Sequence, residues 1–303
     1  MTLTDAALLE PLQQRMIRLN LGWYRVGRHD PTTWIGAGAM VRGVLTPDGP
    51  ASVRIGWSTP AGLTVDAWGP GADWAARAAP AMTAFGKSVD PVADHHPLVT
   101  RAAHQRPGFA AGASGDLYHA LLPTIIGQRI TAREAVRQWQ FLAYRLGEPA
   151  PGPFTGLLLP PNPQRLASTP TWWFHPLGIE VKRARTLVAV ARIVHRLWEW
   201  ATLGADEAAA KLALVPGVGP WTIGMVRGPV FGDDDAVPVG DLHFPRTVSW
   251  NLAGEPRGDD ARMLELLEPF RPQRGRVLRL VGLAGKRAPA YGPKRRILPM
   301  YKW

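Results

Sequence analysis

The chain of 303 residues is long enough for two or three small domains, since single domains commonly hold about 100 to 150 residues. Its composition is 46% hydrophobic and 19% charged, without cysteine and without an apolar run near the roughly 20 residues of a membrane span; it excludes a helical membrane protein, disulfides, thiol catalysis and cysteine-held zinc or iron–sulfur clusters. The balance of 35 basic against 24 acidic residues, +11 in all, favours a polyanionic partner, because each phosphate contacted by Lys or Arg releases condensed counterions.

In chain order, the first residues carry acids where a signal peptide would carry its basic end, so a cytoplasmic protein without an export signal is expected. An amphipathic stretch, Asp5 to Leu21, precedes Trp34 to Trp68. There the short β-branched runs Ala51-Ser-Val-Arg-Ile and Leu63-Thr-Val-Asp-Ala-Trp are broken by Pro and Gly turns and predict a small sheet. Helical patterns resume over Ala72 to Phe85 and again before Arg106-Pro107-Gly108, whose Pro-Gly pair ends the unit. His95 and His96, adjacent before Pro97, point apart or cap a helix and do not suggest a metal site.

From Asp116 the pattern is almost wholly helical, with a Pro-rich connector at Glu148 to Pro163. Helices are predicted over Leu117 to Arg129, Ala132 to Leu146 and Glu180 to Trp200. The last sets Leu187, Val190, Ala191, Val194 and Trp198 on one side and so packs inside a bundle. The predicted class is α+β, mainly α: a small β-containing N-terminal domain over residues 1–112, then a two-lobed helical body over 113–285. The tail, 286–303, holds Lys286, Arg287, Lys294, Arg295, Arg296 and Lys302 with no acid, and reads either as a phosphate-binding arm or as a solvated end.

The most informative segment, Leu214-Val-Pro-Gly-Val-Gly-Pro-Trp-Thr222, lies between the helical pattern Asp206 to Leu212 and the next, beginning near Pro220. Two glycines around one apolar residue allow a tight reversal, and Pro220 suits the first turn of a helix. Exposed amides at a helix N-terminus bind phosphate without reading bases. A structural helix-to-helix turn is the alternative. A Walker-type loop is excluded, because no Gly-Lys-Ser/Thr follows.

This hairpin, followed by Ala236-Val-Pro-Val-Gly-Asp241, resembles the helix-hairpin-helix (HhH-GPD) DNA glycosylases, in particular the bacterial 3-methyladenine DNA glycosylase II type. The likeness extends to Leu122–Thr131, containing Ile125-Ile-Gly-Gln-Arg-Ile, and to Met263–Leu280, containing Glu268-Pro-Phe-Arg-Pro-Gln-Arg, and covers about residues 100 to 285. It implies a monofunctional glycosylase that hydrolyses the N-glycosidic bond of alkylated bases such as 3-methyladenine and 7-methylguanine in damaged double-stranded DNA. It further implies a monomer that needs no cofactor. The alternatives are a non-catalytic DNA-binding protein and a glycosylase for neutral lesions such as uracil or hypoxanthine.

The resemblance makes Asp241 the catalytic carboxylate. Base loss develops oxocarbenium character on the sugar, which a fixed carboxylate near C1′ stabilises, and a helix N-terminus favours the ionised form this role demands. A plain helix-capping aspartate is the alternative. Bifunctional members carry a Schiff-base lysine where this chain has Trp221, so water is the implied nucleophile. Trp221 either offers its face to a cationic base or packs under the hairpin. Met225 and Leu242 complete the implied base pocket, at positions where relatives can be aromatic, and Gln273 stands where they often have tryptophan. Gln128, Arg129, Gly217, Val218, Gly219, Trp221, Thr222 and Arg274 are the implied DNA contacts. Arg129 is read as the wedge that fills the vacated stack or as a surface arginine on phosphate. No side-chain metal site is implied; the backbone oxygens of Ala213, Val215 and Val218 are candidate ligands of a structural Na+ or K+.

Overall fold

The structure, a computed structural model, describes residues 10–59 and 62–289; residues 290–303, most of the basic tail, and residues 1–9 lie outside the described part. Helix α1 (Pro11–Leu21) begins at a proline, and Glu10 and Gln13 bond reciprocally across its first turn as a capping box. Four strands follow as an antiparallel meander, β1 (Thr33–Ile35), β2 (Ala39–Thr46), β3 (Gly49–Thr59) and β4 (Gly62–Trp68). The period of two puts Met40 and Val44 of β2 and Val53, Ile55 and Trp57 of β3 on one buried face. Helix α2 (Ala72–Met82) covers that face through Ala75, Ala79 and Met82, joined by Ile17 and Leu21 of α1.

Helix α4 (Leu117–Gly127) is apolar almost all round, and Leu117, Tyr118, Leu121, Leu122, Ile125 and Ile126 are fully buried. Such a helix must be surrounded. Around it pack α5 (Ala132–Leu146), α6 (Pro163–Ser168), α7 (Val181–Arg192), α8 (Val194–Trp200), α9 (Ala205–Leu212) and α10 (Pro220–Phe231), which together form a first helical core. A second core gathers Val248 of α11 (Phe244–Ala253), Met263 and Leu267 of α12 (Asp260–Leu267), and Val277, Leu278 and Val281 of α13 (Arg274–Ala284). The mainly helical α+β class with a two-lobed helical body is therefore the observed one.

Two features depart from the sequence pattern. Helix α3 (Pro97–His104) precedes residue 112, yet its buried Val99 and Ala102 pack with the C-terminal helices, Val99 in the second core and Ala102 beside Leu280. One helix expected over Glu180 to Trp200 is two, broken at Ile193, whose N–H bonds Val190 only three residues back. Val194 and Leu197 beyond the break face the same core as Leu187 and Val190 before it. His96 caps α3 by accepting the Leu98 N–H on Nδ1, and the ring of His95 lies edge-on to Phe270.

A buried polar junction fixes the sheet to α4. Asp116 caps α4 by accepting the His119 N–H at 3.0 Å, and His119 Nε2 meets Thr32 Oγ1 at 3.0 Å. Arg42 of β2 donates to the Tyr24 carbonyl at 2.7 Å and to Thr33 Oγ1 at 3.0 Å. Burial, and then the Arg42 charge, hold the His119 ring well below its usual range, while burial raises the Asp116 carboxyl against the pull of Arg42. No helix among the described residues is long and apolar enough to cross a membrane.

Candidate functional site

Helices α9 and α10 are joined by the reversal Ala213–Gly219. Val215 and Val218 are buried in the first core and pin the loop, while Leu214 is exposed. The Val218 N–H closes a turn on the Val215 carbonyl at 3.0 Å. Gly217 has φ +86°, and a Cβ there would lie 2.0 Å from Thr186 Oγ1 on α7, so both the turn and the close approach require glycine. Gly219, at the N-cap of α10, has open space where its Cβ would be. The first-turn N–H groups of a helix have no partner within it, and no side chain among the described residues caps this end. The hairpin thus presents unfilled donors on an unobstructed surface.

Gln128 follows α4 and braces this hairpin. Its Nε2 donates to the Gly217 carbonyl and to Thr222 Oγ1, both at 2.9 Å. Arg129, next in the chain, is exposed and held at φ +60°. A left-handed conformation costs a non-glycine residue about 1–2 kcal/mol, and here it turns the backbone out of α4 immediately beyond the brace.

Asp241 lies where the chain passes from the first helical core to the second. Its Oδ1 accepts the backbone N–H groups of His243 at 2.7 Å and Phe244 at 3.0 Å, at the start of α11. Its Oδ2 accepts Trp221 Nε1–H at 2.9 Å. The half-buried indole bridges two glycines: a Cβ on Gly127 would sit 3.7 Å from Trp221 Cη2, and one on Gly240 3.9 Å from Trp221 Cβ. The loop before Asp241 is clamped from both sides. A Cβ on Gly224 of α10 would fall 2.6 Å from Pro238 Cα, and one on Gly275 of α13 2.2 Å from the Ala236 carbonyl oxygen.

Met225 is half-buried one turn beyond Trp221 on α10, and Leu242, beside Asp241, is 75% exposed. Arg274 is placed differently from the hairpin residues. It grips Asp235 through Nε at 3.0 Å and Nη2 at 2.6 Å, and Glu268 through Nη1 at 3.1 Å. Burial raises the Asp235 carboxyl, but the hydrogen bonds and charge of Arg274 outweigh it and hold that group below its usual range. Gln273 donates to the Asp90 carbonyl at 3.1 Å and accepts from Arg276.

The sequence reading missed the run Asp233-Asp234-Asp235 that follows α10. Asp233 pairs with Arg227 at 2.6 Å, Asp234 with Lys87 at 2.7 Å and Arg279 at 2.8 Å, and Asp235 with Arg274. These pairs anchor the start of the Asp241 loop to α10, to α13 and to the segment before α4. The only signal in the sequence was an acid triplet just past a helix-ending glycine. An open cavity of about 360 Å3, lined by Met16, Asn20, Phe85 and Gly108 among others, includes none of these residues. Among the described residues no group of three or more His, Asp or Glu is placed to hold a metal.

Solved structures of similar fold include DNA glycosylases. A 3-methyladenine DNA glycosylase from Archaeoglobus fulgidus superposes with a TM-score of 0.67 at 17% identity, covering 88% of this chain and 93% of that one. The apo form of an 8-oxoguanine glycosylase/lyase from Clostridium acetobutylicum gives 0.57 at 13% identity, covering 84% and 99%. MBOgg1 in complex with a low-affinity DNA ligand gives 0.57 at 16% identity, covering 80% and 83%. At these identities the likeness is one of fold. No protein-family model and no curated protein sequence matches the chain.

Proposed function

We propose that the chain is a monofunctional DNA glycosylase that releases alkylated purines from double-stranded DNA by hydrolysis, as a monomer, in base excision repair. The observation that carries this reading is the setting of Asp241. Three N–H donors fix its carboxyl group at the start of α11, against the side of α10 that begins at the open hairpin. The hairpin amides bind a backbone phosphate, and Arg129 enters the stack as the nucleotide swings out. Asp241 then opposes the positive charge that grows on the sugar and orients the attacking water.

The same setting supports a cationic base over a neutral one. An indole that donates its N–H to a carboxylate is polarised toward a more electron-rich face, which attracts a methylated purinium by about 0.5–2 kcal/mol. Such a base leaves readily, so no strong acid is required. No lysine stands on α10 to attack C1′, which supports hydrolysis without strand cleavage. A Na+ or K+ ion fits the hairpin in one respect: the Ala213 and Val218 carbonyls accept no backbone hydrogen bond among the described residues. With the Val215 carbonyl they would hold the ion, which would add positive charge beside the phosphate.

The test is to incubate the protein with methylated duplex DNA in EDTA and to identify what is released. The expected products are 3-methyladenine and 7-methylguanine, leaving intact abasic DNA that borohydride does not trap on the protein. Release of uracil or hypoxanthine alone would move the pocket to neutral lesions. Binding without release of any base would leave a non-catalytic DNA-binding protein.

A further inference from the structure

We propose that the outer face of α7 and α8 is a second duplex-binding surface, along which the DNA flanking the lesion runs beyond the hairpin; the inference rests on the DNA-binding reading above. Lys182, Arg185, Arg192, His195 and Arg196 are all exposed, and Val181 to Trp198 contains no acid. Glu180 and Glu199 bracket this ridge without interrupting it. Among the described residues the five make no ion pair, whereas Lys87, Arg227, Arg262, Arg271, Arg274 and Arg279 are each paired with an aspartate or glutamate. Lys182 and Arg185 are like-charge neighbours one turn apart on α7, and such a pair destabilises a helix by about 0.2–0.5 kcal/mol, a cost that a polyanion would remove.

The ridge is continuous with the proposed DNA surface. Thr186, one turn after Lys182, packs against Gly217 of the hairpin. Arg183, facing inward, donates to the Ile126 carbonyl at 2.6 Å, just before Gln128 and Arg129. From Lys182 to Arg192 α7 alone rises about 15 Å, beside which a duplex presents about nine phosphates, and α8 carries Arg196 past the break. A duplex is favoured over a single strand because binding a single strand calls for exposed aromatic platforms. The aromatic on this stretch, Trp198, is half-buried with the His195 ring edge-on at 5.1 Å.

The test is the quadruple variant K182A/R185A/R192A/R196A of the intact chain, at exposed helix positions where alanine is well tolerated. Affinity for undamaged duplexes of about 30 and about 10 base pairs is measured against salt, each phosphate contact adding about 0.9 to the log–log slope. On the long duplex the slope is expected to fall by about 2–4, and on the short one much less. An unchanged slope on the long duplex overturns the ridge. Gly219→Leu, measured alongside, separates the two readings. If it weakens binding while the quadruple variant does not, only the ridge fails; if both bind like the parent, the DNA reading fails with it.

Discussion

The indole N–H of Trp221 is spent on Oδ2 of Asp241, at 2.9 Å, while Oδ1 is held by two backbone amides. The carboxyl group therefore cannot rotate without losing a donor, and its position is set jointly by α10 and α11. Because Gln128 ties the loop after α4 to the same hairpin, the hairpin turn, the Arg129 loop and Asp241 are linked through one set of hydrogen bonds.

Trp221→Phe keeps a flat ring for stacking but removes the donor. A hydrogen bond to a charged group contributes about 1.5–3 kcal/mol, of which part is felt at the transition state. Single-turnover release of 7-methylguanine is expected to slow about tenfold at unchanged duplex affinity. A parental rate would show that the two backbone amides suffice to position Asp241.

The two hairpin glycines are expected to separate. At Gly217 an alanine would meet Thr186 Oγ1 at 2.0 Å, and rotating the Thr186 side chain still leaves its Cβ at 3.1 Å. With the left-handed backbone added, Gly217→Ala is expected to cost about 2 kcal/mol or more in urea unfolding. Gly219→Ala, with nothing within 4 Å of its Cβ, is expected to unfold like the parent, while Gly219→Leu obstructs the amides and weakens duplex binding about tenfold. Equal stability losses at both positions would contradict the geometry.

The buried junction predicts a pH dependence of stability. His119 is held neutral in the fold but takes a proton at its ordinary pKa of about 6.5 when unfolded, so stability falls as pH drops below that value. Asp116, raised in the fold, works in the opposite direction above its ordinary range. Asp116→Asn retains a capping side chain and leaves the His119 contribution alone. Urea unfolding of this variant is expected to be flat above about pH 6.5 and to lose up to about 1.4 kcal/mol per pH unit below it, more steeply than the parent. A variant equally stable at pH 5 and pH 7 would contradict the assignment.

The sheet, the turn between α9 and α10 and the position of Asp241 at a helix start were legible because each is a local pattern: β-branched runs in β3 and β4 between Pro and Gly turns, Pro-Gly-Val-Gly-Pro between two helical patterns, and Gly-Asp before an amphipathic run. What was not legible depends on distant approach. Gln128 reaches a carbonyl 89 residues away, and Trp221 meets a carboxyl 20 residues away. The expectation for Arg274 came from a motif, whereas its partner Asp235 is 39 residues distant and the surrounding ion pairs join three parts of the chain. The break at Ile193 carries no Pro or Gly, and the apolar face continues across it, so periodicity passed over it.

Asp241→Asn tests the central claim most directly. The side chain keeps its shape, and its oxygen still accepts the His243 and Phe244 amides, but the charge that the proposed mechanism sets against a developing oxocarbenium ion is gone. The measurement is single-turnover release of 7-methylguanine and 3-methyladenine beside a duplex-binding titration, repeated with Trp221→Phe added so that the new amide does not face the indole N–H. The account predicts a rate about 100- to 1,000-fold lower in both backgrounds, with duplex affinity kept or increased. Parental excision by Asp241→Asn with binding intact would contradict it.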